Sequence, residues 1–225
     1  MCGRFTLAEF EGIEERFLIE TPELKPNYNV APSQDIPVII NNGANHLAIF
    51  RWGLIPFWAK DPAIGHKMIN ARAETVDEKP SFKTSLQRKR CLIVADGFYE
   101  WKKEGSTKRP HRITLTNKEL FGFAGLWDTW KSPAGDMVNS CSIITTTPNE
   151  LMAPIHDRMP VILLKEVEQV WLDQSITDSH FLKSLLIPYP AAQMTAYEVS
   201  TFVNSTKNNG PECLAPLMSQ TGLWV

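Results

Sequence analysis

Short apolar runs rich in Val, Ile, Phe and Trp recur between residues 36 and 146, and helical spacing of apolar residues is confined to the margins. Ile36 to Ile40 and Leu47 to Trp52 flank Asn41-Asn42-Gly43, a pattern that predicts a hairpin with a longer turn. Further strands are expected at Cys91 to Ala95, Phe98 to Lys102, His111 to Thr116, Leu120 to Leu126, Ser140 to Thr146 and Ala196 to Val199. Turns are expected at Gly105 and at Pro133 to Gly135.

At the amino-terminal margin, Thr6 and Glu9 fit a capping box, and Phe10, Ile13 and Phe17 follow at helical spacing, which predicts a helix over residues 7 to 19. Thr147, Pro148 and Glu150 supply an N-cap, a first-turn proline and a capping-box partner for a short helix ahead of Ile155 and His156. Two more helices fit Lys165 to Leu172 and Ser179 to Leu186, the second capped by Asp178. Strands in runs with helices at the edges predict an α+β fold with a mixed or antiparallel sheet that curls toward a barrel.

Length and composition narrow this picture. A chain of 225 residues that is 43% hydrophobic can bury one sizeable core, and no repeat or low-complexity linker interrupts it, so a single domain over residues 1–225 is expected. The start, Met1-Cys2-Gly3-Arg4, lacks the apolar stretch of a secretory signal, and no apolar run of about 18 residues occurs, which favours a cytoplasmic protein with no membrane partner. Cys2, Cys91, Cys141 and Cys213 have neither the spacing of a zinc site nor the compartment for a disulfide framework, so no metal is expected. Cys91 and Cys141 lie in strand-like runs and read as small core residues. No glycine-rich nucleotide loop calls for a cofactor, and a monomer is expected.

The net charge of −2 argues against indiscriminate coating of nucleic acid, but its distribution is uneven. From Arg51 to Arg112 there are 14 Lys or Arg against 7 Asp or Glu, while the rest of the chain is acidic. A local basic surface is what a phosphate backbone requires, since each neutralised phosphate releases condensed counterions. A solvated face with no partner would read the same way.

Cys2 carries the sharpest chemistry. A small second residue favours removal of Met1, which would leave a cysteine with a free α-amine. The amine titrates near 8 and the thiol near 8.5, so both are partly nucleophilic at neutral pH. The amine can condense with an aldehyde, and the sulfur can then close a five-membered thiazolidine, both groups being held on one carbon skeleton.

Three polar motifs sit among apolar neighbours: Asn70-Ala-Arg-Ala-Glu-Thr75, Asp96-Gly-Phe-Tyr-Glu-Trp101 and Ile155-His-Asp-Arg-Met-Pro160. Between Tyr99 and Trp101, Glu100 can have its pKa raised toward the range useful for proton transfer, or it can simply face solvent. Imidazole at His156 suits protonation of a sugar ring oxygen near neutral pH, although a lone His is more often structural.

Together with Met1-Cys-Gly-Arg-Phe5, Tyr28-Asn-Val-Ala-Pro32 and Arg51-Trp-Gly-Leu-Ile-Pro56, these motifs occur in an order that resembles the SOS response-associated peptidase family, the abasic-site processing proteins. The segment from Val199-Ser200 to Pro211-Glu212 extends the likeness over nearly the whole chain. The resemblance implies that Cys2 bonds covalently to abasic sites in single-stranded DNA, that Asn70 steadies its amine, that Glu100 is the acid/base and that His156 assists sugar-ring opening. It further implies that Arg4, Arg72 and Arg158 contact phosphates, that Asn29 and Pro32 line the site, and that Trp58 and Trp101 stack on or wedge between bases. Around Phe57-Trp58-Ala59 the chain departs from the family's spelling, which leaves the choice of wedge open. Self-removal of the segment before Cys2, here Met1, is the peptidase activity the family name implies. Two other readings fit the residues: a thiol peptidase with Cys2 as nucleophile and His156 as base, and a noncatalytic single-strand-binding module.

Overall fold

The computed structural model describes residues 2–20 and 23–217. In chain order its elements are β1 (Phe5–Leu7), α1 (Ile13–Phe17), β2 (Asn27–Val30), β3 (Asp35–Asn41), β4 (Asn45–Trp52), β5 (Asn70–Arg72), α2 (Lys83–Arg88) and β6 (Arg90–Ala95). They continue with β7 (Gly97–Glu104), β8 (Thr107–Leu115), β9 (Phe121–Lys131), β10 (Met137–Thr146), β11 (Met159–Pro160), α3 (Lys165–Leu172), α4 (Ser179–Ser184) and β12 (Met194–Glu198). Among the described residues no helix is long and apolar enough to cross a membrane.

Two sheets account for the strands. One runs β12-β8-β7-β1-β2 with every neighbour antiparallel. The other runs β10-β4-β3-β6-β9, and because β9 also pairs with β10 it closes on itself as a small barrel. Closure leaves those five strands without an open edge. Strand β10 extends past the ring and carries β5 in parallel and β11 antiparallel on its far half. The expected α+β class with a barrel-like sheet is therefore what the chain adopts.

Alternation along the barrel strands explains how both faces are buried. In β6, Cys91, Ile93 and Ala95 belong to one apolar cluster and Leu92 and Val94 to the other. The first cluster joins the two sheets through Phe5, Trp52, Phe98 and Phe123, with the Phe5 ring 5.2 Å from Trp52 and 5.9 Å from Phe123. The second is roofed by Ile13, Phe17, Leu86, Trp171 and Leu182 from the four helices. Cys91 and Cys141 are fully buried in the first cluster, as small core residues should be.

Two expected helices are not formed as read. Over residues 7 to 19 only α1 is helical, because residues 5–7 are drawn into the β2 and β7 ladders. The cap is lost with them: the Thr6 hydroxyl donates to Asp96, whose other oxygen takes the Ala8 and Glu9 N–H groups at 2.8 and 2.9 Å. Phe10, Ile13 and Phe17 still face the core, so the apolar stripe was legible although its length was not. Between Thr147 and Ile155 the chain makes turns rather than a helix. Asn149, not Thr147, supplies the capping oxygen, to Met152 N–H at 2.9 Å, while its amide ties the segment to Tyr189 O at 2.7 Å. Helices α3 and α4 lie where expected, with the Asp178 carboxylate accepting from His180 and Phe181 N–H.

Most of the basic residues between Arg51 and Arg112 stay at the surface, but three of them are engaged by the fold. Arg90 is fully buried and donates to four backbone carbonyls, those of Leu86, Gln87, Trp171 and Asp173, joining α2 and the end of α3 to β6. Lys89 pairs with Asp128 at 2.6 Å and Arg112 with Asp96 at 3.1 Å. Replacing Arg90 with Ala strands those carbonyls in an apolar setting and is expected to cost about 3 kcal/mol or more in a denaturant titration. A loss below about 1 kcal/mol would show that water satisfies the carbonyls instead.

Candidate functional site

The amino-terminal strand is seated by a carboxylate. Asp96 opens the Asp-Gly-Phe-Tyr-Glu-Trp motif, and besides Thr6, Ala8 and Glu9 it receives the Arg112 guanidinium. That guanidinium lies across Gly97, where an added Cβ would come within 2.9 Å of it, so the position needs glycine for this close approach. The clamp fixes β1 and with it the residues just before.

Cys2 lies at the end of this clamped segment, fully buried, with its thiol 4.0 Å from Arg4 O. Burial pushes the thiol pKa up, and the nearby charge of Glu100 pushes it further. Glu100 is itself 3% exposed on β7, and burial raises its carboxyl above the usual range. The strand alternation that aims Phe98 into the core aims Glu100 the same way, near enough to Cys2 for its charge to act on the thiol.

A cleft of about 460 Å³ is lined by Glu100, Trp101, Lys108, His156 and Asn204, while the buried Cys2 is not part of its lining. His156 enters it from the turn after residues 149–155, its Nδ1 3.0 Å from Arg158 N and 2.9 Å from Asp157 Oδ1. When Nδ1 accepts the Arg158 N–H, the ring hydrogen resides on Nε2. The charge of His156 also acts on Glu100, which places the two expected acid/base groups in one electrostatic unit.

Asn70 stands on β5, paired with Ile143 of the same apolar cluster as Cys2. Its amide nitrogen and oxygen are both buried and have no hydrogen-bond partner among the described residues. A buried amide with both ends unused costs of order 1–3 kcal/mol, so the position is one where a polar guest would be welcomed. Arg72, two residues on and so on the same side of the strand, is exposed.

The chain belongs to the SOS response associated peptidase (SRAP) family. That family's model matches residues 1–206. The abasic site processing protein YoqW of Bacillus subtilis is 58% identical over 221 residues, covering 95% of this chain and 99% of that protein. The abasic site processing protein HMCES of Xenopus tropicalis is 33% identical over 231 residues, covering 88% and 68%. Among solved structures, a crystal structure of a protein from Bacteroides thetaiotaomicron superposes with a TM-score of 0.87 at 30% identity, covering 96% of this chain and all of that one.

Not every expected site residue of this SRAP chain faces the cleft. Asn29 is 1% exposed and its amide is committed to the protein: Oδ1 accepts from Arg4 at 2.7 Å, and Nδ2 donates to Val203, Ser205 and Asn208 carbonyls. Arg4 likewise turns inward, to Asn29 and to Val203 O at 2.9 Å, with burial lowering its pKa. Arg158 holds Glu74 in a two-toothed pair at 2.5 and 2.9 Å and Thr145 O at 2.6 Å, and the hydrogen bond from Arg158 keeps the Glu74 carboxyl below its usual range. These two arginines are thus engaged by protein groups, and Arg72 is the expected phosphate contact left facing solvent. Pro32 is half-buried in the turn after β2.

Trp58 lies outside the cleft lining, on a loop where it is 46% exposed beside Phe57 at 60%. Asp128 anchors that loop at Phe57 N–H, 2.8 Å, and the Trp130 indole anchors it at Ala59 O, 2.7 Å. Two cleft residues escaped the sequence reading, Lys108 and Asn204. Lys108 reaches the cleft only through the β7/β8 register, and Asn204 lies 103 residues from Trp101 in the chain. Only the family likeness of the late segment pointed that way.

Proposed function

We propose that this protein captures abasic sites in single-stranded DNA, using Cys2 freed of Met1 to form a covalent bond that protects the lesion. Its relatives named as abasic site processing proteins support a DNA-lesion-processing role, and the charge of Glu100 acting on Cys2, with Glu100 and His156 lining one cleft, supports the chemistry. His156 assists opening of the deoxyribose ring to its aldehyde. The Cys2 amine adds to that carbonyl, a protonated Glu100 gives its proton to the departing hydroxyl so that water leaves, and the resulting carboxylate takes the proton from the iminium nitrogen to leave an imine. The Cys2 sulfur then adds to the imine carbon while its proton passes to the nitrogen, closing the thiazolidine. Asn70 offers the unused amide that steadies the amine. Arg72 and Lys108 take phosphates, and Trp101 takes a base.

A thiol peptidase with Cys2 as nucleophile would need the thiol but not the α-amine, so acetylating that amine would spare it and abolish capture. The direct test incubates purified protein, with Met1 removed, with single-stranded DNA carrying one abasic site. A heat- and salt-stable adduct is expected; binding that salt fully reverses would leave only a noncatalytic module.

A further inference from the structure

The carboxy-terminal segment around residues 200–209 has no role in the capture chemistry just described, yet it is held in place in unusual detail. Asn29 Nδ2 donates to Val203 O at 3.2 Å, Ser205 O at 3.0 Å and Asn208 O at 2.7 Å, and Arg4 adds a bond to Val203 O. Within the segment, Asn208 Nδ2 closes onto Phe202 O at 2.7 Å, and Ser200 Oγ accepts from Phe202 N–H. Asn204 therefore sits between two residues whose carbonyls are both tied to a buried side chain. Its own Oδ1 receives the Trp101 indole N–H at 2.8 Å.

That bond acts on the ring and not on the fold. It lies at the surface, where a single hydrogen bond adds little to the stability of the fold. An acceptor at the indole nitrogen lies near the ring plane, so it fixes rotation of the indole without covering either face. The Arg4 guanidinium lies over one face, 5.7 Å from the ring centroid, which leaves the opposite face for a base, and Trp101 and Asn204 both border the cleft that holds Glu100 and His156. The ring is thus fixed at its edge with its surroundings arranged beside the reactive groups.

We propose that Asn204 is a positioning residue that locks Trp101 as a stacking platform for the base next to the captured lesion, making the 200–209 segment part of the DNA site. The inference rests on the abasic-site reading above. It places Arg4 and Asn29 in a supporting role, as the parts that hold the segment, and it explains why a segment with no chemistry of its own borders the cleft. Stacking of a base on an aromatic ring tightens binding without reading sequence, and a ring free to rotate loses part of that gain.

The test compares two single-stranded substrates in adduct formation at subsaturating DNA: one with ordinary bases flanking the abasic site, and one whose flanking nucleotides are inert baseless tetrahydrofuran residues. Asn204→Ala is expected to slow capture of the ordinary substrate roughly fivefold to tenfold through weaker binding, with the rate at saturating DNA unchanged, and to leave capture of the baseless-flank substrate as in the wild type. Trp101→Ala should erase the same preference, and the double variant should add nothing to it. Asn204→Asp keeps the acceptor oxygen and should restore the ratio between substrates, even though its charge slows both. Equal slowing of both substrates by Asn204→Ala, or a double variant in which the two defects multiply, would overturn the proposal. Absence of any adduct with the wild-type protein would instead count against the capture reading itself.

Discussion

Cys2→Ala is expected to abolish the heat-stable adduct with abasic DNA while leaving the protein folded. The variant keeps an α-amine once Met1 is removed, so an imine can still form, but imines hydrolyse and no sulfur remains to close the ring. The sulfur lies in the apolar cluster between the sheets, and removing that one atom from a buried site costs about 1 kcal/mol, too little to unfold a domain of this size. A borohydride-trapped adduct in place of the spontaneous one would locate the defect at ring closure. A spontaneous, heat-stable adduct formed by Cys2→Ala at the wild-type rate would remove Cys2 from the mechanism.

Glu100→Gln is expected to slow capture by about 10²- to 10⁴-fold, the usual range for losing a positioned acid/base, and to stabilise the fold at neutral pH. Burial raises the folded pKa of Glu100 above the ordinary value near 4.3. Between those two values the native state holds more protons than the unfolded one, so its stability falls as pH rises through the window. Gln carries no charge and escapes that loss. The difference in melting temperature between variant and wild type should therefore be positive at pH 7 and vanish below the unfolded pKa. A variant that captures normally, or that is less stable at pH 7, would show that the carboxyl is not the buried proton carrier described here.

How much of this was legible beforehand depended on what each signal required. The strands of the barrel announce themselves because both of their faces are buried, so β6 and β10 read as apolar runs whatever they pair with. Residues 7–19 misled because a Thr-x-x-Glu spacing looks the same whether Thr6 caps a helix or satisfies a carboxylate 90 residues away. Strands β1, β2 and β5 are three or four residues long and exist only through their partners, so local patterning could not declare them. Cys2, Glu100 and His156 were named from chemistry and family likeness, and in the fold the charge of Glu100 acts on Cys2 while Glu100 and His156 line one cleft. The arginines were harder. Nothing in the motif spelling says that Arg158 finds Glu74 or that Arg4 finds Asn29, since both partners are set by tertiary packing.

The partition of polar groups around the cleft follows from the same physics. Guanidinium groups that can reach a carboxylate or a carbonyl inside the protein do so, as Arg90, Arg112 and Arg158 each show. The amide of Asn70 finds no such partner among the described residues.

The central claim is that one residue supplies both the nitrogen and the sulfur, and intact-mass measurement of adducts tests it most directly. Protein lacking Met1 should gain the mass of the abasic oligonucleotide less one water, whereas the same chain with its Cys2 amine acetylated, or with Met1 retained, should gain nothing. A full-yield adduct on chains that still carry Met1 or a blocked amine would contradict the account.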